Sequence, residues 1–172
     1  MASSLFDSSV AVFTRMLTNL SGCLDKAAAY AAERKFDSAV LVTSRLAPDM
    51  LALSSQVQLA CDFAKGCSAR LAGMEVPKRE DKETTLDELK ARIAWTLDFI
   101  GSIPRDKFNG ADERIIEHNL RTVTIKLPGL AYLEGFSKPN FYFHVTTTYA
   151  ILRHNGVPLG KMDFVGALSM ND

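Results

Sequence analysis

Phe6, Val10, Phe13, Leu17, Leu20, Leu24, Ala27 and Ala31 recur at alternating steps of four and three residues. That spacing lays one apolar stripe along a helix, and a stripe this long must be covered by other elements of similar length. It predicts a first helix over about Ser4 to Glu33. Met16 and Tyr30 flank the stripe and widen the apolar surface. A second stripe, Met50, Leu53, Val57, Ala60, Ala64, Cys67 and Leu71, predicts a helix over about Pro48 to Leu71. Pro48 suits a first turn, where no intrahelical N–H bond is lost, and Gly73 supplies a stop.

Thr85 followed by Glu88 forms a capping box, in which each side chain satisfies an orphan backbone N–H. Leu86, Leu89, Ile93, Leu97 and Ile100 continue the third helix, and Pro104 bars its extension. A fourth helix is expected after Ser137 and Pro139, ending at Gly156 and Pro158. Between the third and fourth helices, Val123, Ile125 and Leu127 alternate with Thr122, Thr124 and Lys126, the period of a half-buried strand. Pro128-Gly129 makes a turn, after which Leu130 to Phe136 could return as a partner strand. The expected architecture is an all-α four-helix bundle spanning 1–172 as one domain. Its long crossover before the last helix contains a short β segment.

Twenty basic residues balance twenty acidic ones. A nucleic-acid binder carries a basic surplus or stripe, so no nucleic-acid partner is expected. The mixed run "KREDKE", 78 to 83, reads as a solvated loop. Cys23, Cys61 and Cys67 are odd in number and form no CxxC pair, so they read as small buried hydrophobes in a reducing compartment. The opening "MASSLFDSSV" has neither a basic n-region nor an apolar h-region, and no run is long enough to span a membrane. A cytoplasmic location follows as the expectation. The apolar residues flanking the main stripes suggest a homodimer.

The segment "PNFYFHVTTTYAILRHNGVPLG" holds two of the three histidines. Asn140 and His144 are four apart and share a helix face, with Cβ atoms about 5–6 Å apart. His154 lies about 80° away around the helix and in its last turn, a surface or capping position. His144 stands beside the stripe of Phe141, Val145, Tyr149 and Leu152 and is expected to face the interior. There it is either a hydrogen-bonded core histidine or a metal ligand. The lack of a second His or carboxylate at i±4 favours the former. On helix two, Asp49 and Gln56 share an edge and could line the same groove, whereas Gln58 and Asp62 point outward to solvent. Asp49 could equally serve as an N-terminal helix charge. Trp95 and Tyr142 are core or pocket-wall aromatics.

"RLAPDM", "QVQLACDFAKG" and "PNFYFHVTTTYAILRHNGVPLGKMDF" resemble a bacterial family of unknown function grouped with the DinB/YfiT-like proteins of metalloenzyme fold. The resemblance implies a DinB-type four-helix bundle, often dimeric. In related families a divalent metal sits between three histidines, one on the second helix and two forming HxxxH on the fourth. Some relatives are thiol-dependent transferases. Here His144 matches the second histidine of HxxxH, Asn140 replaces the first, and Gln56 or Gln58 stands at the second-helix position. The resulting expectation is a small-ligand cleft lined by Asp49, Gln56, Asn140 and His144, with a degenerate metal site and no bound cofactor. One rival is a metal-dependent transferase or hydrolase, with His144 as ligand and Asp49 completing the shell. Another is a non-catalytic dimeric interaction protein.

Overall fold

The computed structural model describes residues 4–120 and 122–167. The first stripe forms a π-helical turn, Asp7–Ala11, running directly into α1, Val12–Arg34. Phe13, Leu17, Leu20, Leu24, Ala27 and Ala31 are all buried, as their spacing requires. Met16 is buried as well, and Tyr30 packs edge-on against Phe36 at 5.7 Å.

The second long helix begins later than its stripe implies. A short helix, α2, spans Ala39–Thr43, and α3 covers Leu53–Leu71 rather than starting at Pro48. Pro48 instead occupies the second position of a tight turn closed by Met50 N–H to the Ala47 carbonyl at 3.0 Å, a place that its fixed φ also suits. The Arg45 guanidinium takes the Met50 carbonyl, and Leu53 N–H bonds the Ser44 carbonyl at 2.9 Å. These bonds draw the backbone away from a helical path. Val57, Ala60, Ala64, Cys67 and Leu71 are nonetheless buried as expected. The next helix, α4 (Leu86–Gly101), carries the predicted capping box, with Glu88 N–H donating to Thr85 Oγ1 at 3.2 Å and Thr85 N–H to Glu88 Oε2 at 3.1 Å.

The crossover departs further from expectation. The strand reading holds for β2, Thr124–Pro128, but its antiparallel partner is β1, Ile115–Asn119, upstream rather than downstream. Leu130 to Phe136 is helical: α5, Gly129–Tyr132, passes into a π-helical turn, Leu133–Ser137, and then into α6, Lys138–His154. Gly129 explains the switch. A Cβ there would stand 1.9 Å from the Ala111 carbonyl oxygen, so the chain crosses this buried point only without a side chain. Pro139 explains the π turn, since it has no N–H to donate and its ring crowds the preceding turn; the wider π turn lets the helix continue past it. Beyond α6, the short helix α7, Lys161–Val165, straps onto α1 through Lys26–Asp163 at 2.7 Å and Asn19 Nδ2 donating to the Phe164 carbonyl at 3.0 Å.

The fold is thus mostly helical with one small β hairpin. The longest helices share a core: α3 packs against α4 and α6, and α1 packs against the same two. Each large apolar side chain sealed there contributes about 1.5–3 kcal/mol. Burial pushes the thiol of Cys23 up to about 11 and those of Cys61 and Cys67 to about 12, so all three stay protonated and behave as small hydrophobes. Among the described residues, no helix is long and apolar enough to cross a membrane.

The run 78–83 is only partly solvated. Arg92 on α4 is 1% exposed, and its guanidinium meets Asp62 of α3 at 3.0 Å, Asp81 at 2.8 Å and Glu83 at 3.2 Å. It also donates to the Glu80 carbonyl at 3.3 Å. Gln58, expected to point outward, is buried and donates to Glu83 Oε2 at 3.0 Å. Asp62, also expected to be solvated, is engaged by Arg92 and by Lys65 at 2.9 Å. Burial opposes ionisation of Glu83, but hydrogen bonds from Gln58 and the backbone, together with Arg92, outweigh it and hold its pKa below the ordinary value.

Arg92→Ala removes the buried cation that joins Asp62, Asp81 and Glu83, leaving Glu83 with only Gln58 and Arg79, and is expected to cost about 3–5 kcal/mol in urea unfolding. The exposed Asp7–Arg105 pair serves as contrast: Arg105→Ala should shift the midpoint far less. Because the folded pKa of Glu83 is depressed, its contribution is present above its unfolded pKa and lost as pH falls through the folded value. That acid-dependent loss should shrink in Arg92→Ala.

Candidate functional site

His144, on the buried face of α6, is 8% exposed, and its Nδ1 lies 2.8 Å from Gln56 Oε1 on α3. The Gln56 amide is oriented by its own Nε2, which donates to the Leu51 carbonyl at 3.2 Å. Its oxygen therefore faces the imidazole, so Nδ1 carries the proton and Nε2 keeps the lone pair. The ring stacks on Phe63 at 5.6 Å, with Phe143 edge-on at 5.3 Å. Burial pushes the His144 pKa down, which keeps the ring neutral near pH 7. Asn140 stands one turn earlier and donates to the Phe136 carbonyl at 2.8 Å. Asp49 lies on the exposed turn before α3, so the shared helical edge expected for Asp49 and Gln56 does not form. Of the four sequence-derived cleft residues, Gln56 and His144 meet, Asn140 adjoins them, and Asp49 stands outside their helices. His154 is exposed in the last turn of α6, as its position implied.

These residues do not fit a three-ligand transition-metal centre. The set is one imidazole and two carboxamides, whereas such metals favour imidazole, thiolate or carboxylate. Both amide nitrogens are committed to backbone carbonyls, and the Gln56 oxygen accepts the imidazole proton. Among the described residues, no group of three His, Cys, Asp or Glu side chains is placed to hold a metal ion.

A cleft of about 680 Å³ has Phe63 in its lining. Its walls are the outer face of α3, the Val76–Glu80 stretch of the α3–α4 loop, and the end of β1. Leu59, Phe63, Val76 and Pro77 supply apolar surface. At its polar end, the Tyr132 hydroxyl lies 2.9 Å from His118 Nδ1, and Arg70 Nη1 donates to the same hydroxyl at 3.4 Å. Burial raises the Tyr132 pKa against the opposing charge of Arg70, while burial and Arg70 both lower that of His118. The phenol thus stays protonated and the imidazole neutral. Tyr132 accepts from Arg70 and donates to His118 Nδ1, leaving the His118 proton on Nε2.

Gly66 seats Arg70 in this arrangement. A Cβ at that position would stand 2.6 Å from Arg70 Nη1, so the missing side chain lets the guanidinium lie over its own helix. Phe136, from the π turn, packs against Phe63, His118 and Tyr132 at 5.6–5.8 Å and backs the cleft. None of Asp49, Gln56, Asn140 and His144 lines it. The sequence reading missed Arg70, His118 and Tyr132. The alternation of Ile116 and His118 with exposed neighbours in "RIIEHNL" was the available signal, and it points both side chains to one strand face.

A family model described as "Domain of unknown function (DUF1993)" matches residues 5–165. No curated protein matches the chain. The crystal structure of a DinB family member protein from Shewanella denitrificans is similar to it throughout. The two are 44% identical with a TM-score of 0.92, and the match covers 98% of this chain and 95% of that one. With the family model spanning nearly all of its length, the chain belongs to the DUF1993 domain family, whose fold is that of a DinB relative.

Proposed function

We propose that this protein is a DinB-type four-helix bundle, formed by α1, α3, α4 and α6, that binds a small organic ligand without a transition metal. The cleft between α3, the loop before α4 and the hairpin carries this reading. Its size lies within the range of small-molecule sites, and it combines apolar walls with a few convergent polar groups. The Gln56–His144 bond supports the second half, because it spends on a hydrogen bond the groups that would otherwise face a metal. A metal-dependent transferase or hydrolase would need donors that these side chains lack, and Asp49 on its exposed turn does not supply them.

Nile red, a neutral apolar dye, should bind with enhanced fluorescence at one site per chain. Gly66→Leu should abolish that signal while thermal stability is kept. The first added carbon meets the flexible end of Arg70 and, at 4.0 Å, Val76, and leucine is a better helix former than glycine. Undiminished dye binding in a folded Gly66→Leu protein would refute the cleft as the site.

Tag-free protein should contain well under one equivalent of nickel or zinc by mass spectrometry. Stoichiometric metal that disappears in His144→Ala would overturn the metal-free reading.

His144→Ala removes a buried, stacked ring and strands the Gln56 oxygen, an expected loss of about 1–3 kcal/mol in urea unfolding. His154→Ala, at an exposed helix end, should cost less than about 1 kcal/mol. Since the folded pKa of His144 is depressed, its contribution is present above the unfolded pKa and declines as pH falls from there through the folded value. His144→Ala should flatten the stability profile in that window.

A further inference from the structure

Of the four cations that line the cleft, the half-buried Arg70 and the exposed Lys78 have no carboxylate partner among the described residues. Lys65 pairs with Asp62 at 2.9 Å, Arg79 with Glu83 at 3.4 Å, and Arg92 with three carboxylates. Arg70 is half-buried over Gly66, and the protein contact it makes is a 3.4 Å hydrogen bond to the neutral phenol of Tyr132. Next to it stands the Nε2–H of His118, for which no described residue provides an acceptor. The polar end of the cleft therefore presents N–H donors and the charge of Arg70, the half-buried one of the two unpaired cations. The carboxylates that line the cleft, Asp62 and Glu80, are engaged by Lys65 and Arg92 and by Lys82, respectively.

A half-buried guanidinium without a counter-ion is completed by an anion, and its planar fork matches a carboxylate in bidentate fashion. Apolar surface continues from this point along Phe63, Leu59, Val76 and Pro77. We propose that the cleft takes an amphipathic monocarboxylate. Its carboxylate is held by Arg70 and by His118 Nε2–H, and its apolar body lies along α3 and the α3–α4 loop. Tyr132 is a positioning residue: by donating to Nδ1 it fixes the tautomer that turns Nε2 into a donor. At this end one half-buried guanidinium and a neutral imidazole balance a single negative charge, whereas the other unpaired cation, Lys78, is exposed on the loop, which favours a carboxylate over a dianionic phosphate. This inference rests on the small-ligand reading above and specifies the chemistry of that ligand.

Decanoate, 1-decanol and decyl phosphate are unbranched ten-carbon compounds that differ in the end group. In calorimetric titrations below their micellar concentrations, decanoate should bind at least tenfold tighter than decanol and tighter than decyl phosphate. Arg70→Gln should erase the preference for decanoate over decanol while decanol binding persists, which also shows that the variant is folded. Tyr132→Phe should weaken decanoate severalfold, and ¹⁵N spectra of its His118 should show loss of the single Nε2–H tautomer. Equal binding of decanoate and decanol, tighter binding of the phosphate, or a preference that survives Arg70→Gln would overturn the carboxylate assignment. In those cases the small-ligand reading still stands, since an alkyl ligand binds. Failure of all three compounds and of Nile red would remove both.

Discussion

The guanidinium of Arg92 is the interaction on which the working parts of this molecule depend. It sits 1% exposed on α4, yet its charge is answered from α3 by Asp62 and from the preceding loop by Asp81, Glu83 and the Glu80 carbonyl. A loop of mixed charge has little apolar surface of its own with which to dock. Tying it to a buried cation gives it a defined path, and that path carries Val76 to Glu80 along the cleft. The desolvation of Arg92 is costly, and the same stability would be available from an apolar packing arrangement. What the ion cluster adds is position: it joins α3, α4 and their connecting loop at one point. Arg79 and Lys65, both at the cleft wall, extend the cluster over Trp95, with their charged groups 5.1 and 5.5 Å from its ring.

The long helices were legible because burial repeats along a helix with a period that sequence displays directly. Thr85 and Glu88 were legible because capping is local chemistry. The errors occurred where a distant group decides the local path. Pro48 suits a helix start and a tight turn equally well, and the bonds from Arg45 and Leu53 select the turn. Pro128-Gly129 reads as a hairpin turn until the Ala111 carbonyl is known to pass where a side chain would be. That crossing places the partner strand upstream, at Ile115–Asn119, and brings His118 with it.

The same distinction separates the two regions of functional interest. The inward orientation of His144 follows from its place beside an apolar stripe, and Gln56 lies on the facing helix, so their meeting was within reach of periodicity. Arg70, Tyr132 and His118 come from α3, α5 and β1 and share no spacing that a linear reading detects. They meet only once the hairpin register and the start of the last helix are known. Phe63 belongs to both regions, with His144 stacked against its ring and the cleft beside it. The two regions therefore share one aromatic ring.

The π turn at Leu133–Ser137 gives the final helix two independent bearings around its axis. Upstream of it Tyr132 is aimed at the hairpin, and downstream His144 is aimed at α3. An ordinary α-helix advances about 100° per residue, so a relative one residue shorter here could keep every downstream contact while swinging the upstream residues to a different azimuth. Length variation within these few positions would thus act as a rotary coupling between the two ends of the helix. The polar end of the cleft could be re-aimed during divergence without disturbing the core that the downstream half completes.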